Sequence, residues 1–164
     1  MEKTGMLSVV IPAYNEEPNI RPAVQAIGGA LAKEDIPYEL VFVDDGSRDN
    51  TWACVQEQAQ ADPHVRGVSF SRNFGKEAAI FAGLAQAEGA CAAVIDCDLQ
   101  HPPEKLAEMY RLWQEGYQVV EGVKVSRGKE NPLHTLAART FYSAISSATG
   151  IDMSRASDFK LLDR

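Results

Sequence analysis

Short apolar, β-branched runs and amphipathic stretches take turns along almost the whole chain, and that alternation limits the fold more than any other feature. Leu7 to Pro12 reads as a strand, and about Glu17 to Lys33 as a helix with Ile20, Val24, Ile27 and Leu31 at helical spacing. The same alternation predicts strands at Tyr38 to Asp44, Val65 to Ser71, Ala90 to Asp96 and Tyr117 to Val123. Between them fall helices at Asn50 to Ala61, Lys76 to Ala87 and Pro103 to Glu115, with Pro103 in a first turn where its missing N–H costs nothing. A helix over about Leu133 to Thr149 and a short extended segment around Phe159 to Leu162 complete the reading. Such a succession implies an α/β fold, a mostly parallel sheet with helices on both faces and right-handed crossovers. The 164 residues suffice for one domain that buries roughly 70% of its unfolded surface, and no internal boundary is evident.

In open α/β sheets the ligand crevice lies outside the carboxyl ends of the strands. The strand ends here carry unusual chemistry. Asp96-Cys97-Asp98-Leu99-Gln100-His101-Pro102-Pro103 places two carboxylates and an amide just beyond an apolar strand. Oxygen ligands of that kind suit magnesium or manganese, which bind phosphate oxygens alongside one or two carboxylates. The alternative for the same octapeptide is that Asp98 or His101 caps the next helix and Asp96 is solvated.

Three further strand ends fall on the same edge. Pro12-Ala13-Tyr14-Asn15-Glu16-Glu17 stands where a dinucleotide-binding fold would carry a glycine-rich phosphate loop, so that fold is disfavoured. Here Asn15 is a candidate cap for the next helix, and Tyr14 can offer an aromatic face to a base. Val43-Asp44-Asp45-Gly46-Ser47-Arg48-Asp49 ends in adjacent acids; one of them can accept from a base N–H or a ribose hydroxyl, or serve simple turn chemistry. In Ser71-Arg72-Asn73-Phe74-Gly75-Lys76-Glu77, Lys76 at a helix start could face anionic oxygens, but Asn73 as a cap and Lys76 as a solvated charge explain most of that segment.

Charge and cysteine content exclude other classes. With 16 basic and 23 acidic side chains the net charge is −7, and no basic stripe interleaved with aromatics suggests a nucleic-acid partner. Cys54, Cys91 and Cys97 fit neither a disulfide framework nor zinc spacing, which points to a reducing compartment, the cytoplasm by default. No apolar run approaches the 18 or so residues that a membrane-spanning helix needs. A phospho-acceptor receiver domain would place its paired acids after the first strand, whereas Asp44 and Asp45 follow the second.

In order along the chain, IPAYNEE, VFVDDGSRDNT, SFSRNFGKEAAIFAGL and IDCDLQHPPE resemble the inverting GT-A family 2 glycosyltransferases. Within that group the segments are most similar to bacterial polyprenyl-phosphate glycosyltransferases and dolichyl-phosphate mannose synthase. The resemblance implies a nucleoside pocket lined by Pro12, Tyr14, Glu16 and Asp45, with Cys97 beside it, and a divalent cation, Mg or Mn, held by Asp96, Asp98 and Gln100. It implies contacts to the acceptor phosphate from Lys124 and Arg139, although Lys124 stands where arginine is common and Leu133-His134-Thr135 lacks the basic pair of many relatives. Ser157-Asp158-Phe159-Lys160-Leu161-Leu162 is similar to a late family element whose acid reaches the reaction centre, which makes Asp158 with Asp98 the catalytic candidates. The implied reaction moves a sugar from a nucleotide-diphosphate sugar, a uridine diphosphate sugar favoured, to polyprenyl (undecaprenyl) phosphate with inversion, as in cell envelope biosynthesis. A same-fold enzyme acting on a soluble saccharide or protein, or a non-catalytic sugar-nucleotide sensor, stands as the alternative. Because such relatives continue into membrane-spanning helices, the resemblance implies a catalytic domain that is soluble as given and works at the cytoplasmic face of a membrane through a segment absent here.

Overall fold

The computed structural model describes residues 3–123 and 157–164. Ten strands and α-helices occur among them: β1 (Leu7–Ala13), α1 (Ile20–Lys33), β2 (Tyr38–Asp44), α2 (Thr51–Ala61), β3 (Val65–Ser69), α3 (Lys76–Gln86), β4 (Cys91–Val94), α4 (Lys105–Gln114), β5 (Val119–Glu121) and β6 (Lys160–Asp163). The chain divides into two compact units, Met1–Val120 with Asp158–Arg164, and Glu121–Ser157. Every described residue of the site discussed below belongs to the first; Lys124 and Arg139 fall in the second.

The strands form one sheet in the order β3-β2-β1-β4-β6-β5. All seven residues of β1 are buried, as befits a central strand covered on both faces. Parallel ladders join β1 to β2 over Leu7 to Ala13, β2 to β3, and β1 to β4 from Leu7 opposite Cys91 to Val10 opposite Val94. Alternate β1 residues Leu7, Val9 and Ile11 share a core with Ile20 and Ile27 of α1, Val55 of α2 and Leu106, Met109 and Trp113 of α4. The opposite face is covered by α3. There Gly83 sits so close to the sheet that a Cβ would lie 2.3 Å from Val10 Cγ1.

The sequence pattern and the structure differ in instructive places. β6 runs antiparallel to β4, with Val94 opposite Lys160 and Cys91 opposite Asp163, a direction the sequence pattern did not assign within its mostly parallel sheet. Trp113 Nε1 donates to Asp163 Oδ1 at 2.6 Å and Lys3 Nζ pairs with Asp163 Oδ2 at 2.8 Å, which fixes the far end of that strand. The predicted helix over 17–33 opens with a separate tight turn at Glu17–Asn19, and α1 starts at Ile20, so that Pro22, which has no N–H to give, falls in its first turn. The predicted helix from Pro103 starts two residues later, after turns in which Lys105 and Leu106 donate to the Pro102 and Pro103 carbonyls. β4 ends at Val94, two residues short of its prediction, and β5 is confined to three residues. The predicted helix around Leu133 to Thr149 lies outside the described residues. Among the described residues no helix is long and apolar enough to cross a membrane.

Candidate active site

A cleft opens where the sheet changes direction. β1 leads to β2 on one side, the chain later returns to β4 on the other, and such a switch point is where open α/β sheets bind ligands. β1 stays with β2 through Ala13, whereas its ladder with β4 stops at Val94 and Ile95 N makes the last bond, to Val10 O. The strands part there, leaving a cavity of about 250 Å³. Its wall includes Pro12, Tyr14, Glu16, Asp45, Lys76, Asp96, Cys97 and Asp98. Pro12 lacks a donor without harm, since β4 has already left its side of the sheet.

The loop after β1 is laced to the loop after β2. Asn15 has a positive φ of 54°, takes Arg48 N–H on its side-chain oxygen at 2.9 Å and gives its own N–H to Ser47 Oγ at 2.9 Å. Glu16 N donates to Thr51 Oγ1 at 2.8 Å, and Asn50 N donates to Glu17 Oε2 at 3.1 Å. Asn15 therefore joins two loops; it does not cap α1, the helix for which it was a candidate. Held this way, Tyr14 stands 43% exposed at the cleft.

Asp45 ties in a third loop. It is only 3% exposed, and its carboxylate accepts from Phe74 N at 2.7 Å, Gly75 N at 3.1 Å and Asn73 Nδ2 at 3.0 Å. Asn73 spends its amide on Asp45 and does not cap α3, contrary to the expectation from sequence. The loops approach closely enough that Gly46, at φ +67°, could carry no Cβ, which would lie 2.3 Å from the Arg72 carbonyl carbon.

The acids meet at the next residue. Lys76 Nζ lies 2.8 Å from Asp96 Oδ1 and 2.8 Å from Asp158 Oδ2. Continuing the β4–β6 register two residues beyond Lys160 sets Asp158 opposite Asp96, so the antiparallel return of the chain delivers the third carboxylate. Two like charges directly opposite one another repel, and the ammonium sits between them. Its burial works to lower the Lys76 pKa, but the hydrogen bonds and charges of Asp158 and Asp96 together outweigh it and hold the pKa above the ordinary lysine value. Lys76 was expected to be a solvated charge. One signal pointed the other way: it is the first residue of α3, where the helix dipole disfavours a cation unless acids compensate.

Asp98 is exposed, and its Oδ1 accepts from Gln100 N at 3.1 Å. That bond closes a local turn, and neither Asp98 nor His101 acts as the N-cap of α4, which is Glu104. His101 stacks on buried Phe159 with ring centroids 4.7 Å apart, joining the acid loop to the segment that carries Asp158. Gln100 is exposed and is not among the residues lining the cavity. Cys97 lines it but is 2% exposed, and burial, reinforced by Glu16, Asp98 and Asp96, pushes its thiol up to about 12. Lys124 and Arg139 lie outside the described residues. Among the described residues no three His, Cys, Asp or Glu side chains are grouped to hold a metal by themselves. Asp96 and Asp98 supply the oxygen donors that a hard divalent cation completes with phosphate oxygens.

A mostly parallel sheet with an antiparallel return at β6 is the fold of solved GT-A glycosyltransferases. Glucosyl-3-phosphoglycerate synthase of Mycobacterium tuberculosis, in complex with Mn2+, uridine diphosphate and phosphoglyceric acid, superposes with a TM-score of 0.69 at 25% identity over 96% of this chain and 55% of its own. Residues 8–159 match Glycosyl transferase family 2, and the chain belongs to that family. It is 42% identical to the uncharacterized glycosyltransferase YkcC of Bacillus subtilis, over 100% of this chain and 51% of that protein. It is 36% identical to the undecaprenyl-phosphate 4-deoxy-4-formamido-L-arabinose transferase of Proteus mirabilis, over 93% of this chain and 47% of that protein. The chain thus spans about half the length of these relatives.

Proposed function

We propose that the chain is the catalytic domain of a transferase that moves a sugar, with inversion, from a nucleotide-diphosphate sugar to polyprenyl phosphate, a uridine diphosphate sugar being the favoured donor. The observation that carries this reading is the gathering of Asp96, Asp98, Asp158 and Lys76 at the switch-point cleft beside Tyr14 and Asp45. The Proteus mirabilis relative, named for undecaprenyl phosphate, supports the acceptor class. The Mycobacterium neighbour crystallised with uridine diphosphate and Mn2+ supports the donor and the cation.

In this reading Tyr14 offers its ring to the base, and Pro12, Glu16, Cys97 and Asp45 wall the nucleoside. Asp96 and Asp98 hold Mg or Mn, with Gln100 able to join them only by swinging inward, and the cation, when bound, neutralises the charge that grows on the departing diphosphate. The acceptor phosphate has a second ionisation near pH 6, so its oxygen is already largely an anion at neutral pH and needs no general base. That oxygen bonds to the anomeric carbon as the bond from carbon to the diphosphate oxygen breaks on the opposite side, which inverts the centre. Asp158 then serves to orient Lys76 and the acceptor rather than to remove a proton, and Lys124 and Arg139 are the proposed acceptor contacts. A polyprenyl acceptor implies a reaction at a membrane, and the free thiols Cys54, Cys91 and Cys97 favour its reducing, cytoplasmic side.

The test is transfer of radiolabelled sugar from uridine diphosphate sugars to detergent-dispersed undecaprenyl phosphate. Label in the organic phase, lost in Asp158→Asn while donor binding persists, is the expected result. Label on a soluble saccharide instead would favour a different acceptor class.

A further inference from the structure

Lys76 occupies the ground that the proposed cation needs. Its ammonium holds Asp96 Oδ1 and Asp158 Oδ2 at 2.8 Å each, and it projects from the first residue of a helix whose preceding loop is fastened to the Asp45 carboxylate by three hydrogen bonds. The side chain is roughly half-buried, and it keeps two opposed carboxylates from repelling one another. A divalent cation arriving alone would meet one carboxylate already neutralised and a positive charge a few ångströms away. A diphosphate arriving with it brings negative charge that both cations can share.

We propose that Lys76 is a positioning residue that makes divalent-cation binding conditional on the nucleotide diphosphate: in the free protein it is the counter-ion of Asp96 and Asp158, and with the diphosphate bound it yields Asp96 to the metal. This rests on the nucleotide-sugar reading of the cleft. Cation and diphosphate affinities are then linked, each raising the other by the same factor, and Lys76 adds to the link that shared phosphate oxygens already make.

The probe is Mn2+, followed by loss of the free aqueous Mn2+ paramagnetic resonance signal, with and without uridine diphosphate. The wild-type protein should bind Mn2+ weakly alone and clearly tighter with the diphosphate. Lys76→Met should bind Mn2+ alone about tenfold tighter, the scale expected for removing one like charge at this range in a partly solvated site, and the further gain from uridine diphosphate should shrink by about the same factor. Lys76→Arg, which keeps the charge, should behave as wild type. Lys76→Gln repeats the test if the methionine variant unfolds, and circular dichroism of each variant checks that it folds. Unchanged or weaker Mn2+ binding in folded Lys76→Met and Lys76→Gln would overturn the inference while leaving the nucleotide-sugar reading intact. Absence of Mn2+ binding by the wild type even with uridine diphosphate would instead overturn that reading.

Discussion

Replacing Asp45 by asparagine keeps the shape of the side chain and removes one of its two acceptor oxygens. The carboxylate takes Phe74 N–H on Oδ1, and Gly75 N–H and the Asn73 amide on Oδ2. If the new carbonyl takes the Oδ2 position, Phe74 N–H faces an amide NH2; turned over, it strands the other two donors. At least one donor is orphaned, and the survivors lose their charge assistance. An unsatisfied donor costs about 1–3 kcal/mol when buried; because Phe74 is half exposed and water can reach the loop, a total near 2 kcal/mol is expected. For a domain of this size that lowers the melting temperature by roughly 4–8 °C. Thermal unfolding by circular dichroism measures the loss. Hydrogen exchange read by mass spectrometry should show faster exchange at Phe74 and Gly75 ahead of any change in the β1–β2 ladder. Nucleotide binding should weaken even in chelator if, as proposed, Asp45 walls the nucleoside without touching the cation. A melting temperature within a degree of wild type, with exchange at 74 and 75 unchanged, would refute the claim that this carboxylate holds the loop.

Two more outcomes follow from parts of the fold remote from the acids. Buried Glu39 accepts from Ser8 Oγ, Glu88 N and Arg66 Nη1; burial alone would raise its pKa, but these bonds and the Arg66 charge outweigh it and lower the value. A lowered folded-state pKa adds stability that is present above the unfolded value, near 4.3, and is lost as pH falls through the folded one. Glu39→Gln should therefore cost about 1–3 kcal/mol at pH 7, and the gap between variant and wild type in urea melts should close toward pH 3; a constant gap would contradict this. Gly83→Ala should destabilise by about 1–3 kcal/mol despite the better helix propensity of alanine, since its Cβ would lie 2.3 Å from Val10 Cγ1 and 3.1 Å from Val43 Cγ2. A stabilised variant in urea unfolding would show that α3 stands off the sheet.

Much of the architecture was legible because it rests on local patterns. The apolar runs of β1, β2 and β4 and the spacing of Ile20, Val24, Ile27 and Leu31 are set by neighbouring residues, and each element formed where its pattern lay. Strand-end acids were visible for the same reason. What escaped depends on contacts between distant segments. The antiparallel direction of β6 is decided by how residues 157–164 return to β4, and without it nothing in the sequence sets Asp158 opposite Asp96. Lys76 looked like a solvated charge because its two partners come from positions 96 and 158. Asn15 and Asn73 have the residue type of helix caps, yet their side chains join loops that meet only in three dimensions.

The cleft between β1 and β4 is proposed to bind a nucleotide diphosphate through a cation held by Asp96 and Asp98. Isothermal titration of uridine diphosphate into the protein, with Mn2+ and then with chelator, tests it most directly. The expected result is at least roughly tenfold tighter binding with the ion, about 1.4 kcal/mol, and disappearance of that difference in Asp98→Asn with thermal unfolding unchanged. Equal affinity with and without the ion in the wild-type protein would contradict the account.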